Sequence, residues 1–385
     1  MQLDKGNFAC GIFIDLQKAF DTVNHEILLA KLSSYGIRGV CNNWFRSYLS
    51  ERSQFVSLKG ICSSHMKVIC GVPQGSTIGP SLFLIYINDL HFIFNKGIVH
   101  HFADDTNILY SGSKFSSIQC DINFEMKKLT EWFRCNKLSI NESKTEVVVF
   151  RSPNVNIPPN FIIKINKSKM MPCKYVKYVG VLIDEHLTWD YHIESVSKKL
   201  SQTVGILTKL RHYAPLKSLI AVYYALFYSH LTYGCVVWQF AREELLNRLS
   251  IIQKRCVRVI TFSPQFYPDI ESANPIFLSN KLLKTKDVFL YFVVTFFYKL
   301  RYDSTPSAIK VFWNYFSDDI DRSTRNFNRL RIPAVETSRF GRSSLRCKGA
   351  IIWNDFYDSL RDKSKISTLY KFKNYYRELC FSGYT

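Results

Sequence analysis

Two adjacent aspartates, Asp104 and Asp105, lie between apolar stretches: Ile98 and Val99 precede them, and Ile108 to Tyr110 follow. This pattern predicts a β-hairpin with two carboxylates at its tip. Adjacent acids repel each other, so holding both at one tight turn is costly unless a cation neutralises them. A divalent metal would serve, and hard oxygen donors favour Mg²⁺ or Mn²⁺. Taken alone, an Asp-Asp pair also fits a solvated turn. A third acid changes the balance. The small and apolar run from Ala9 to Ile14 stops at Asp15, which predicts a buried central strand carrying a carboxylate at its carboxyl end. A charge placed there needs a partner or a metal. Three such donors suit a two-metal site, with ions roughly 3.5–4 Å apart that stabilise the attacking and leaving oxygens of an in-line phosphoryl displacement.

Four further segments accompany these acids. The first runs from Phe13 through Asp15, Phe20 and Asp21 to Val23. A Gly/Pro-rich stretch, Gly71-Val72-Pro73-Gln74-Gly75-Ser76 through Gly79-Pro80, leads into the apolar segment Leu82 to Leu90. The polar segment Leu138 to Thr145 contains Asn141 and Lys144, and Val176 to Asp184 contains Tyr178 and Gly180. With the Phe-Ala-Asp-Asp hairpin they make five motifs over roughly residues 8–190. In this order they resemble a reverse transcriptase, most closely those of non-LTR (LINE-like) retrotransposons. The Phe before Ala-Asp-Asp, and the Leu-Thr-Trp-Asp-Tyr-His-Ile segment beginning at Leu187, favour that branch over group II intron or retron enzymes.

The resemblance implies a role for each position. Asp15, Asp104 and Asp105 would hold two Mg²⁺ (or Mn²⁺) ions, with the Leu16 carbonyl as a further oxygen donor. Phe20 would lie under the incoming sugar and reject a 2′-hydroxyl; as a residue it equally suits a core position. Asp21 fits a helix N-cap or first-turn acid better than a metal ligand. Gln74 and Gly75 would touch the nucleotide, and glycine there lets backbone approach a ligand closely. Lys144 would stand near the nucleotide phosphates, although a loop lysine is ordinarily solvated. Tyr178 and Gly180 would belong to a primer grip, or be ordinary strand residues. The implied partners are an RNA template, a DNA primer and deoxynucleoside triphosphates. The life cycle of such elements implies a nuclear and/or cytoplasmic location.

The chain has 385 residues and a formal charge of +20. Length and a mean hydropathy of −0.06 fit a globular protein of two or three domains. The charge is uneven: residues 1–150 carry a net +2 and residues 151–385 a net +18. The second part is therefore expected to grip a polyanion. Its sharpest cluster comprises Arg322, Arg325, Arg329, Arg331, Arg339, Arg342, Arg346 and Lys348 against one acid, Glu336. Arginine dominates there, which favours bidentate phosphate contacts. The eleven cysteines include no C-x-x-C pair, so neither a zinc knuckle nor a disulfide framework is expected, and most are read as buried thiols. His100 and His101 adjoin the hairpin, but strand alternation sends at most one towards the acids. Ser218 to Ala241 contains no Asp, Glu, Lys or Arg. Its Ser, His, Thr, Gly, Gln and four tyrosines favour a buried helix and turn over a membrane span.

The fold class expected is α+β: a polymerase palm with an antiparallel sheet and helices on one face, then a helical thumb, then a mostly helical basic region. The boundaries read from the sequence are 1–184, 185–262 and 263–385, with Pro264, Pro268 and Pro275 marking a linker. Ile122, Met126, Leu129 and Phe133 make one helical stripe, and Ile193, Val196, Leu200, Val204, Leu207 and Leu210 another. Fourteen residues precede Asp15, so the upstream fingers of a full enzyme, and its endonuclease, are expected to be missing. That leaves a rival expectation, a catalytically silent nucleic-acid-binding remnant. A nuclease or another two-metal phosphotransferase would not explain the Pro-Gln-Gly loop or the lysine after Asn141.

Overall fold

The computed structural model of the chain describes residues 2–262, 273–302, 305–313, 329–360 and 367–384. The chain forms two compact units, one running from Gly6 to His186 and the other from Leu187 onward together with Leu3–Lys5.

The first unit is built on the apolar run that precedes Asp15. Strand β1 (Phe8–Ile14) leads through a single helical turn to α1 (His25–Ser34) and α2 (Val40–Leu49). Short ladders follow, β2 (Ser53–Gln54) with β5 (Met66–Lys67) and, nested inside, β3 (Ser57–Leu58) with β4 (Ile61–Cys62). Then come α3 (Gly79–Ile87), β6 (Ile98–Phe102), β7 (Asp105–Gly112), α4 (Phe115–Cys135) and β8 (Glu146–Phe150). Two hairpins close the unit: β9 (Ile163–Ile165) with β10 (Ser168–Met170), and β11 (Tyr175–Tyr178) with β12 (Val181–Asp184). The main sheet has the order β6-β7-β1-β8 and every pairing in it is antiparallel. Strand β1 is therefore central, as its unbroken apolar character requires.

Alternation along the strands gives the sheet two different faces. Cys10, Ile12 and Ile14 pair with or neighbour Tyr110, Ile108, Val147 and Val149. These side chains join one core with Leu28 and Leu32 of α1, Phe83 and Tyr86 of α3, and Ile122, Met126, Leu129 and Phe133 of α4. Burying each large side chain contributes about 1.5–3 kcal/mol, so this face holds the unit together. The other face carries Gly11 and Phe13. At Gly11 an added Cβ would lie 2.9 Å from the Phe13 ring and 3.1 Å from Phe150, which leaves room for glycine alone.

In the second unit, α5 (Asp190–Leu210) buries Ile193, Val196, Leu200, Val204 and Leu207. The chain continues through α6 (Leu216–Val222), a wider turn at Tyr223–Tyr228, α7 (Ser229–Thr232) and α8 (Cys235–Trp238). The uncharged stretch is thus continuously helical to Thr232, then turns at Gly234, where φ is +62°, as the expected helix and turn require. Among the described residues no helix is long and apolar enough to cross a membrane. Helix α9 (Glu243–Ile260) packs along α5. Pro275 does not lie in a linker: it sits in the first turn of α10 (Asn274–Ser279), where its missing N–H costs nothing. Pro264 and Pro268 lie outside the described residues. Helices α11 (Thr285–Arg301), α12 (Ser307–Lys310), α13 (Ala350–Ser359) and α14 (Leu369–Ser382) complete the unit, with α11, α13 and α14 joined by a core of Val293, Phe297, Trp353 and Phe372.

Candidate active site

The expected hairpin is present. Phe102 pairs with Asp105, so Ala103 and Asp104 form the two-residue loop between β6 and β7, and Ala103 takes a left-handed φ of +55°. On the adjoining strand Ile14 pairs with Thr106 and Phe13 with Asn107. Continuing that register sets Asp15 opposite Asp105, on the face away from the helical core. The carboxylates sense one another: loss of solvent, then the charges of Asp104 and Asp15, push the Asp105 carboxyl above its ordinary range. Among the described residues none of the three forms an ion pair.

Also among the described residues, no three His, Cys, Asp or Glu side chains converge closely enough to hold a metal by themselves. The arrangement is an open set of strand-end carboxylates rather than a closed cage. It fits Mg²⁺, which takes one or two carboxylates and completes its shell with water and substrate phosphate. The Leu16 carbonyl, expected as a further donor, lies next to Asp15 in the chain. Leu16 bridges Ile140, but the bonds of that bridge run from Gln17 N–H to the Ser139 carbonyl and from Asn141 N–H to the Asp15 carbonyl. The Leu16 carbonyl is left out of that bridge.

Asp15 is gripped by the polar segment after α4. The Asn141 side-chain amide donates to Asp15 Oδ2 at 2.8 Å, and its backbone N–H donates to the Asp15 carbonyl at 2.8 Å. Asn141 Oδ1 accepts from the Ser143 hydroxyl, which leaves the amide nitrogen facing the acid. The Thr145 hydroxyl donates to the Asn141 carbonyl and accepts from Asp15 N–H. Lys144 is the residue of this segment that sequence alone singles out; Asn141 is not, because its role depends on a contact 126 residues away in the chain. Asn141→Ala is expected to free the Asp15 carboxylate to rotate and to lower the rate of any reaction using it by about 10–100-fold, as loss of an outer-shell partner does. Steady-state kinetics beside a thermal melt would check this, since the melt should move little.

A second carboxylate, Glu125 of α4, anchors the hairpin from the core side. It accepts the N–H groups of Asn95, Lys96 and Gly97, just before β6, and the Tyr110 hydroxyl of β7. Burial works to raise its pKa, but these donors outweigh it and hold the carboxyl below the usual glutamate range.

The Gly/Pro-rich loop is tied to the turn that follows Asp15. Gly71 N–H donates to the Val23 carbonyl at 2.7 Å and Val72 N–H to the Phe20 carbonyl at 2.8 Å. Gly71 has a φ of +90°, and a Cβ there would lie 2.8 Å from the Asp21 carbonyl oxygen. Phe20 is half-buried, with its ring 4.7 Å from that of Phe83. Gln74 is exposed, and its side-chain amide donates to Asp21 Oδ1 at 2.7 Å. Asp21 does not cap α1 but is the acid of the preceding helical turn, Ala19–Asp21, which is the second of its two expected places. Asn24 caps α1 by accepting from Ile27 N–H, whereas Asp21 orients Gln74. Gly75 is exposed with a φ of +78°. Lys144 is an exposed turn residue with no ion pair among the described residues.

Tyr178 and Gly180 lie at the β11–β12 turn. Val179 and Gly180 both have positive φ, +43° and +78°, as a tight two-residue hairpin loop demands. The Tyr178 ring is 5.4 Å from that of Phe13, and its phenol is hydrogen-bonded to the Asn107 side chain. Asn107 in turn contacts His100 Nδ1 at 3.2 Å. His101 Nδ1 reaches the Thr106 hydroxyl at 3.0 Å, and burial holds its pKa down. Thus Asp15, Asp104, Asp105, Phe20, Gln74 and Tyr178 all belong to strand ends or turns of this unit.

The residues of the arginine cluster have different surroundings. Arg322 and Arg325 lie outside the described residues. Arg329 pairs with Asp358 at 3.0 Å, and Arg346 Nε donates to the Phe312 carbonyl at 3.1 Å. Arg331, Arg339, Arg342 and Lys348 are exposed. All eleven cysteines are free thiols, but only Cys10, Cys235, Cys256 and Cys347 are buried, so most are not core residues as expected.

The profile of the family described as "Reverse transcriptase (RNA-dependent DNA polymerase)" matches residues 1–183. The chain is 28% identical over 265 residues to the probable RNA-directed DNA polymerase from transposon X-element of Drosophila melanogaster, covering 67% of this chain and 29% of that protein. It is 26% identical over 274 residues to the RNA-directed DNA polymerase from mobile element jockey of the same species, covering 69% and 30%. The chain therefore spans about three-tenths of the length of these relatives. Among solved structures, telomerase from Candida tropicalis aligns with a TM-score of 0.37 and 12% identity, over 66% of this chain and 42% of that one. Residues 1–183 are a reverse transcriptase domain, homologous to the RNA-directed DNA polymerases of non-LTR retrotransposons.

Proposed function

We propose that this chain extends a DNA primer on an RNA template with deoxynucleoside triphosphates, using two bound Mg²⁺ or Mn²⁺ ions. The observation that carries this reading is the set of three carboxylates at neighbouring strand ends, coupled to one another and unpaired with any cation among the described residues. When bound, the metals supply charge neutralisation at the attacking 3′-oxygen, the phosphoryl group and the departing pyrophosphate. Asp15, held by Asn141, fixes one side of the site, and Asp104 at the loop fixes the other. Asp105 completes the field, and the Leu16 carbonyl offers a neutral donor. Gln74, oriented by Asp21, hydrogen-bonds the nucleotide, and Gly75 lets the backbone come close. Lys144 stands ready to protonate pyrophosphate. Tyr178 and Gly180 support the primer end. Positioning supplies most of the rate in such transfers, so these turns matter as much as the acids.

The direct test is primer extension on a homopolymer RNA template with Mg²⁺ or Mn²⁺, comparing the chain with its Asp104→Asn/Asp105→Asn variant. Incorporation by the parent alone supports the reading. Equal incorporation by both, or by neither, goes against it. A second experiment addresses Phe20. With its ring lying against Phe83 beside the Gly71–Val72 loop, it is proposed to exclude the 2′-hydroxyl. Phe20→Ala is expected to improve use of ribonucleotides relative to deoxynucleotides by about tenfold or more, the scale of a lost steric contact. Competition between rATP and dATP on one template would measure it, and an unchanged ratio would return Phe20 to a purely core role.

A further inference from the structure

The second unit holds a cavity of about 550 Å³ at the start of α5. Its walls come from segments far apart in sequence: Leu187 to Trp189, Val237 to Arg242, and Ser338 to Leu345. Three aromatic side chains, Trp189, Phe240 and Phe340, line it together with the guanidinium-bearing Arg242 and Arg339 and hydroxyls that include those of Ser338 and Ser344. Its size suits a single nucleotide. The side-chain chemistry suits one as well: rings for a base to lie on, cations for a phosphate, and short hydroxyls for base edges or sugar oxygens.

The walls are built rigidly. Asp4 accepts from the backbone N–H groups of Glu336 and Thr337 and from the Thr337 hydroxyl. The Thr337 hydroxyl oxygen accepts from Phe340 and Gly341 N–H. Gly341 has no space for a side chain, because a Cβ there would collide with the Asp4 carboxylate and with Val335. The Ser344 hydroxyl donates to the Gly341 carbonyl at 2.6 Å. Across the cavity, Trp189 precedes α5 in a left-handed conformation with φ +67°, and its carbonyl accepts from Ile193 N–H. Arg242 is fixed by Asp190 at 2.8 Å. Arg339 is exposed and has no ion pair among the described residues. A loop locked in place by a carboxylate more than 330 residues away, presenting a ring and an unpaired cation to a cavity, is preorganised for a ligand rather than for packing.

We propose that this cavity takes an unpaired nucleotide of a single-stranded nucleic acid, with Phe340 stacking on the base and Arg339 meeting a phosphate. The inference rests on the reading that the chain works on nucleic acid, and it adds a second contact outside the unit that carries the aspartates. The test uses the full chain with Asp104→Asn/Asp105→Asn in place and no triphosphate present, so binding is measured apart from synthesis. Fluorescent oligo(U) and oligo(dT) of about twelve nucleotides are compared with an RNA–DNA duplex of equal length. Phe340→Ala is expected to weaken single-strand binding about tenfold and leave duplex binding unchanged, while Phe340→Tyr retains it. Loss with oligo(U) alone identifies the strand as RNA, loss with oligo(dT) alone as DNA, and loss with both as either strand.

Arg339→Gln is expected to lower the slope of log affinity against log salt by about one. Bromouridine placed in the oligonucleotide should crosslink to the peptide holding Phe340 or Trp189. No loss with either strand, equal loss on the duplex, displacement by inorganic phosphate as effective as by oligonucleotide, or crosslinks confined to other peptides would each overturn the proposal. Should Phe340→Ala unfold the second unit, Arg339→Gln and the crosslink in the parent decide. A chain that extends primers yet shows none of these effects refutes the cavity alone; one that shows them without extension refutes the polymerase reading alone.

Discussion

Asp104→Asn and Asp15→Asn are each expected to cut RNA-templated incorporation roughly a thousandfold, the scale at which removing one group that stabilises transition-state charge acts. Either amide keeps the shape of the side chain and one oxygen but loses the charge that a cation would balance. The same substitutions should not weaken the fold, and at Asp105 stability should move the other way. Its carboxyl is pushed up in the folded protein by lost solvation and by Asp104 and Asp15. A folded-state pKa above the unfolded one favours the protonated form. Stability is then greatest at low pH and falls as pH rises from about the ordinary 3.8 through the raised folded value. At neutral pH without metal, Asp105 is a cost to the fold, and Asp105→Asn should raise the unfolding midpoint while lowering incorporation. Added Mg²⁺ should stabilise the parent more than the variant, because it binds the folded site. A melt series with and without Mg²⁺, run beside primer extension, checks both signs. Loss of stability in metal-free Asp105→Asn would mean that the acids do not strain the hairpin.

Such opposition between stability and activity marks a site kept for its chemistry. Among the described residues the three acids have no cationic partner, Asp15 having only the neutral Asn141 amide, whereas several carboxylates elsewhere do. Asp190 has Arg242, Glu185 has Arg151, and Asp89 has Lys31. The protein thus neutralises acids where it only needs structure and leaves them open at the hairpin. That contrast supports the proposed metal-assisted phosphoryl transfer more than the Asp-Asp pair alone does.

What was legible in the sequence follows from the range of the interactions involved. The hairpin and the central strand announce themselves through local apolar patterning around Asp104 and before Asp15, because neighbours in sequence decide them. The stripes of α4 and α5 are equally local. Asn141 was not legible, because an asparagine in a polar loop looks solvated until its distant partner is known. Arg329 and Arg346 read as phosphate ligands, yet Asp358 and the Phe312 carbonyl claim them through tertiary folding. The turn at Val179-Gly180 puts a β-branched residue at positive φ, against local preference, and hairpin closure overrides it. Pro275 misled in the opposite way: proline breaks a helix interior but suits a first turn. Glu125 was within reach, since it falls one position before Met126 on the buried stripe of α4, and a charged residue there calls for buried donors.

Glu125 supports the prediction with the largest expected effect on folding. Its carboxylate is the acceptor for three successive backbone N–H groups, Asn95 to Gly97, and for the Tyr110 hydroxyl. Those groups flank the two strands that carry Asp104 and Asp105, so one side chain pins the aspartate hairpin to α4. Nothing else fits the space nearby, since a Cβ on Gly97 would meet Ile108 and Tyr110 at 2.7–2.8 Å. Glu125→Ala strands the buried Tyr110 hydroxyl and three part-buried N–H groups; a buried donor left unpaired costs about 1–3 kcal/mol and water reaches the others in part, so the net loss should be about 3–4 kcal/mol. For a unit of this size that lowers the thermal midpoint on the order of 10 °C. The pH dependence separates charge from shape. Although burial raises it, the donors hold the carboxyl below the ordinary 4.5 of a glutamate. Its contribution is therefore complete above about pH 4.5 and is lost as pH falls through the lower folded value. Glu125→Gln keeps the bulk, faces the N–H groups with an amide, and should lack that acid-side loss. Urea unfolding of parent and Glu125→Gln from neutral pH down to the carboxylate range decides the matter: converging stabilities on acidification support the anchor, and parallel curves refute it. Incorporation by Glu125→Gln should fall even where the protein is fully folded, because the hairpin that carries Asp104 and Asp105 would then be free to tilt away from Asp15.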